Sequence, residues 1–150
     1  MRVWIVTVIL VAALTSPAAA GPEDDALRVV DAWAAAFNTS NVDAIVALHA
    51  PDALFLGTGS RAVGTTTADI RQYVERALRT DRPRGAVLES RSVMVVSDST
   101  VIITGLDMTT AVRDGKTLTN PGRVTFVIAR RGAEWKIVHF HRSAVPGRAN

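Results

Sequence analysis

Cysteine is absent from the 150-residue chain. That excludes disulfides, thiolate metal sites and a lipid-modified cysteine, so the fold must be held by its core alone. Lysine is scarce: Lys116 and Lys136 stand beside a large excess of arginine. Arginine never titrates in the usual range, so the basic isoelectric point overstates a formal net charge of only +3. A concentrated basic patch with interleaved aromatics, as nucleic-acid binding needs, is also missing. Arg79, Arg82 and Arg84 cluster without an aromatic among them and read as a solvated helix end. No apolar run reaches the ~20 residues that a spanning helix requires. The longest, Val3 to Leu14, follows Arg2 and precedes Pro17-Ala18-Ala19-Ala20. That pattern reads as a secretory signal peptide over residues 1–20, cut before Gly21, leaving no stable membrane anchor. The expectation is an exported protein, periplasmic or secreted.

What remains, residues 21–150, suits one domain with one core. Pro22-Glu23-Asp24-Asp25 opens a helix, with proline in the first turn and acids at the positive end of the dipole. Leu27, Val30, Trp33, Ala34 and Phe37 give it an apolar face. Asn41 caps a second helix, Val42 to Ala50, which Pro51 ends. Ala53 to Leu56 reads as a short strand. Gly57-Thr58-Gly59-Ser60 is a turn, because neither a lysine nor a helix follows as a phosphate loop demands. Thr65 to Thr67 cap a third helix carrying Ile70, Tyr73, Val74, Ala77 and Leu78, with Arg71 and Glu75 as an exposed i,i+4 pair.

From Ala86 the apolar period switches to two. Ala86 to Val96 and Thr100 to Val112 are long strands, and Asp114-Gly115 predicts a type I′ hairpin into Lys116 to Thr119. Asn120-Pro121-Gly122 predicts a bulge or bend before Arg123 to Arg130 resumes the sheet. Trp135 to Ser143 is the last strand. Helices first and a meander of strands last argues an α+β domain.

The final run His139-Phe140-His141-Arg142-Ser143 resembles the last strand of the association domain of calcium/calmodulin-dependent protein kinase II, within the nuclear transport factor 2-like (SnoaL-like) superfamily. The resemblance implies a curved antiparallel sheet wrapped over three helices, a cystatin-like cone with a pocket between them. It implies that Arg142 points into that pocket as the leading contact for a small organic, anionic ligand. The family's second pocket arginine would fall near Phe126, so it is missing at that position. Members include oligomerising, ligand-binding hubs and small isomerases, hydrolases and polyketide-tailoring proteins. Kinase regulation does not carry over: there is no Gly-rich nucleotide loop and no catalytic-loop signature.

Three readings of function follow, one of them a pure scaffold with a vestigial pocket. In the first, the domain is a non-catalytic homo-oligomer with a ligand pocket formed by Arg142, Phe140, Phe126, Tyr73 and Trp33. In the second it is an enzyme with Asp107, a carboxylate in an otherwise apolar and threonine-rich strand, as general base and Arg142 as anion or carbonyl stabiliser. Parity groups Asp107 with Val101, Ile103 and Thr109 without saying which face they take. Strand parity places Trp135, Ile137, His139 and His141 together on the outer sheet face, where a second subunit would cover them. No metal site is expected, since the histidines are too few and scattered. No cofactor is expected either.

Overall fold

The structure is a computed structural model that describes residues 21–147. The segment read as a signal peptide lies outside the described residues. In chain order the elements are α1 (Pro22–Asn38), α2 (Val42–Ala47), β1 (His49–Leu56), α3 (Thr67–Leu78), β2 (Arg84–Ser97), β3 (Thr100–Arg113), β4 (Lys116–Arg131) and β5 (Glu134–Ala144). They form the expected α+β architecture, a single five-stranded sheet in the order β1-β5-β4-β3-β2 with the three helices against one face. Strands β2 to β5 are antiparallel neighbours, while β1 returns beside β5 in parallel. Among the described residues no helix is long and apolar enough to cross a membrane.

The local chemistry at the helix starts is as the sequence suggests. Asn41 accepts from Ala44 N at 3.0 Å, and Thr66 forms a reciprocal capping box with Asp69. Helix α2 is shorter than expected. It stops at Ala47 because the Leu48 carbonyl is taken by the Ile137 backbone N–H at 2.8 Å, which draws His49 and Ala50 into strand β1. Pro51 is tolerated there because β1 is an edge strand and its pairing is irregular between His49 and Leu54. Arg71 reaches Asp43 on α2 at 2.7 Å, closer than Glu75 at 3.8 Å, so it ties two helices together.

The Asp114-Gly115 hairpin has φ of 50° and 73°, as a type I′ turn requires. The expected interruption at Asn120-Pro121-Gly122 does not occur. Pairing with β3 runs unbroken through Thr109–Asn120, Met108–Pro121 and Asp107–Gly122. A residue's N and C=O point to the same side of a strand, and the Pro121 carbonyl accepts from Val145 just past the end of β5. The proline's missing N–H therefore falls beyond the β5 ladder and removes no bond to β3.

The irregularity sits instead in β5. Val127 pairs with His139 but Ile128 pairs with Ile137, so Val138 is an extra residue. That bulge reverses the parity upstream of it. Ile137 is fully buried in the core and Trp135 is half-buried against it, whereas His139 and His141 stay outside. The outer stripe expected from parity thus loses Trp135 and Ile137.

Inward rows now follow from register. Val101, Ile128 and Ile137 form one; Ile103, Phe126 and Phe140 form the next; Gly105, Val124 and Arg142 form the third. Asp107 continues the β3 side of this face, opposite Gly122.

Candidate functional site

Asp107 on β3 and Arg142 on β5 flank β4 at the place where β4 has Gly122. A Cβ there would collide with Asp107 Oδ1 and with the Arg142 guanidinium, so only glycine leaves room for the two side chains to meet across the strand. They do meet: Arg142 Nε donates to Asp107 Oδ2 at 2.7 Å. Both are buried, with side-chain exposures of 7% and 0%. Arg142 Nη1 donates to Thr58 Oγ1 at 2.8 Å, and Nη2 donates to the Asn120 carbonyl at 2.7 Å. Of the five N–H groups of a guanidinium, one on each terminal nitrogen remains without a protein partner. Asp107 Oδ1 is buried without a hydrogen-bond partner.

Above this clamp lies a cavity of ≈ 140 Å³. That matches the ~150 Å³ void that holds one benzene ring. Five aromatic rings line it, Trp33 and Phe37 from α1, Phe55 from β1, Tyr73 from α3 and Phe140 from β5, with aliphatic side chains of α2 and α3 between them. The rings touch in sequence. Trp33 lies 5.4 Å from both Phe37 and Phe140, Phe140 stacks on Phe55 at 5.0 Å, and Phe55 meets Tyr73 at 4.9 Å. Phe126 supports this wall from behind, fully buried and edge-on to Trp33 and Phe140. The loop after β1 closes one side. Gly57 lets the Tyr73 ring lie against the backbone, and Gly59 N donates to Tyr73 Oη at 3.3 Å.

A second arginine lines the cavity. Arg84 opens β2 in register with buried Ala111, and it is half-buried rather than solvated as its neighbours suggested. Its Nε donates to the Thr80 carbonyl at 3.0 Å. Asp81 nearby is engaged by Arg113, which donates from Nε at 3.0 Å and Nη2 at 2.7 Å. That bond, ahead of the Coulombic effects of Arg113 and Arg84, holds the Asp81 carboxyl below its ordinary range. Among the described residues no carboxylate forms a salt bridge with Arg84. Arg142 is balanced by Asp107 while Arg84 is not, so the cavity carries a net positive charge.

The histidines do not converge. His49 is buried inside the cone, edge-on to Phe55, with Nδ1 donating to the Ile45 carbonyl at 2.8 Å and Nε2 unpartnered. Burial depresses its pKa and outweighs the opposing bond to Ile45. His139 and His141 lie on the outer face, where partial burial, then the neighbouring His141, lower the pKa of His139. Among the described residues no group of three or more His, Asp or Glu side chains is placed to hold a metal ion.

Residues 27–147 match the family model of the SnoaL-like domain. The chain belongs to the SnoaL-like domain family. Among solved structures, a protein from Xanthomonas campestris described as a calcium/calmodulin-dependent protein kinase II association domain is 28% identical. The alignment covers 93% of this chain and 99% of that one, with a TM-score of 0.77. A nuclear transport factor 2-like superfamily protein from Salmonella enterica is 19% identical over 85% and 94% of the two chains, TM-score 0.74. A ketosteroid isomerase-like protein from Erwinia carotovora is 15% identical over 83% and 97%, TM-score 0.70. The last two establish the shared fold alone. No curated protein matches the chain by sequence.

Within this SnoaL-like cone, the residues singled out from sequence divide into two layers. Arg142, Phe140, Tyr73 and Trp33 line the cavity; Phe126 and Asp107 stand behind it. Sequence reasoning missed Arg84, Thr58, Asn120 and Phe55. Arg84 alone left a signal, since it shares strand parity with Ala86, an apolar residue that turns out to be buried.

Proposed function

We propose that this SnoaL-like domain binds a small, ring-sized organic anion in its aromatic cavity, as an exported homo-oligomer. The observation that carries the reading is the pair Arg142 and Arg84 at the wall of a cavity whose other walls are mainly aromatic and aliphatic side chains. The rings take up a flat apolar body. Arg142, held on three sides, offers its two remaining N–H groups in a fixed direction, which suits a carboxylate. Arg84 supplies the uncompensated charge. Asp107 positions Arg142 rather than touching the ligand.

A second reading draws on the unpartnered Asp107 Oδ1. There Asp107 would withdraw a proton from a bound ketone and Arg142 would steady the enolate oxygen. Its place behind Arg142 favours the binding reading. Deuterium exchange into a small aryl ketone, lost in Asp107→Asn with the fold intact, would reverse that preference.

Self-association is read from the outer sheet face. Register places Leu54, His139, Val127, Ile102 and Met94 in one row across all five strands, with Leu54 and Met94 47% and 63% exposed. A second copy would cover it, and the description of the Xanthomonas protein as an association domain supports that. Export rests on the residue 1–20 pattern. The binding reading is tested by thermal shift with benzoate against benzamide. Stabilisation by the acid and not by the amide supports it; equal response removes the case for an anion site.

A further inference from the structure

A second pair of arginines stands outside the cavity. Tyr73 and Ala77 line the cavity and also an open recess whose other walls are Gly59, Arg61 and Arg76. Arg76, one turn along α3, lies over the Tyr73 ring with its guanidinium carbon 5.6 Å from the centroid. Neither Arg61 nor Arg76 has a carboxylate partner among the described residues. The acids of α3 are committed elsewhere. Asp69 accepts from Thr65 N and Thr66 N, both at 3.1 Å, and Glu75 faces Arg71. Two cations thus share one recess whose own walls hold no acidic side chain, while Asp69 lines the adjoining groove that both arginines also border. Gathered on one recess, the two positive charges favour an anion from solution there.

We propose that Arg61 and Arg76 form an outer anion subsite, so that the ligand is a dianion: a ring-sized acid with a second acidic group on a short arm that passes Tyr73. The inference rests on the proposed binding of the first acid inside the cavity. The arm's passage is closed by the Gly59 N to Tyr73 Oη contact, whose 3.3 Å exceeds the usual length of an N–H···O bond. Parting it costs little. The first acid is then held by Arg142 and Arg84, the ring by the aromatic wall, and the second acid by Arg61 and Arg76.

The test is calorimetric titration of the purified protein with benzoate, 4-(carboxymethyl)benzoate and 4-(2-carboxyethyl)benzoate. At least one diacid is expected to bind about tenfold tighter than benzoate. In the Arg61→Gln, Arg76→Gln double variant that advantage should vanish while benzoate affinity is kept. Both side chains are exposed, and circular dichroism checks that the fold is intact. Benzoate binding with no diacid advantage overturns the outer subsite and leaves the cavity reading standing. So does an advantage that survives the double substitution. Failure of all three acids to bind overturns both.

Discussion

Asp107 and Arg142 meet across β4, Nε to Oδ2 at 2.7 Å, over the only position in that strand without a side chain. The pair is buried, so each member depends on the other. Removing one partner of such a pair costs about 3–5 kcal/mol, because the survivor is left as an uncompensated buried charge. Asp107→Ala should lose about that much in urea unfolding, and Asp107→Leu with Arg142→Met should recover a large part of it. A single-variant loss below about 1 kcal/mol would mean that Arg142 finds another counter-charge.

Gly122 is the third member of the clamp. Gly122→Ala drives a methyl group into both side chains, and overpacking of this kind costs about 1–3 kcal/mol. Gly59→Ala, where a Cβ meets nothing within 4 Å, is the control and should change stability far less. Equal effects at the two glycines would contradict the crowding argument.

Much of this was legible in the sequence, and the limits have physical causes. The switch from helical spacing to strand alternation at Ala86, the Asp114-Gly115 turn and the Thr66 cap each leave a local chemical mark, so the α+β order could be read directly. Arg142 was reached through the resemblance of the last strand. The Val138 bulge has no such mark: one extra residue in an apolar strand alters no composition, yet it turns Trp135 and Ile137 from the outer face to the inner one. Pro121 misled in the other direction, because its lost N–H matters only if a strand lies opposite, and β5 ends there. Asp107 showed its parity but not its partner, which lies two strands away.

His49 should make stability pH-dependent. Its folded pKa lies below its ordinary 6.5 because the buried ring resists charging. Well above pH 6.5 both states are neutral and stability is complete. As pH falls through 6.5 toward the folded value, the unfolded chain takes up the proton first, and stability drops by at most about 1.4 kcal/mol per pH unit. His49→Phe should flatten that slope below pH 6.5 in urea titrations. An unchanged slope would mean that other groups control it.

The outer face should carry the self-association. Val127→Asp places a carboxylate in the centre of the Leu54–Met94 row without touching the core. Sedimentation should show the wild-type protein as a dimer or larger and this variant shifted toward monomer, with circular dichroism unchanged. A wild-type monomer at micromolar concentration would remove the proposal.

The central claim is that Arg84 and Arg142 draw an acid into the aromatic cavity. Its most direct measurement is the benzoate dissociation constant of Arg84→Gln beside wild type, by calorimetry in matched buffer. Arg84 is half-buried and makes no salt bridge among the described residues, so the substitution should leave the fold intact. The expected result is wild-type binding that weakens about tenfold in the variant, the equivalent of about 1.4 kcal/mol. Identical affinity in the two proteins, or no binding by wild type, would contradict it.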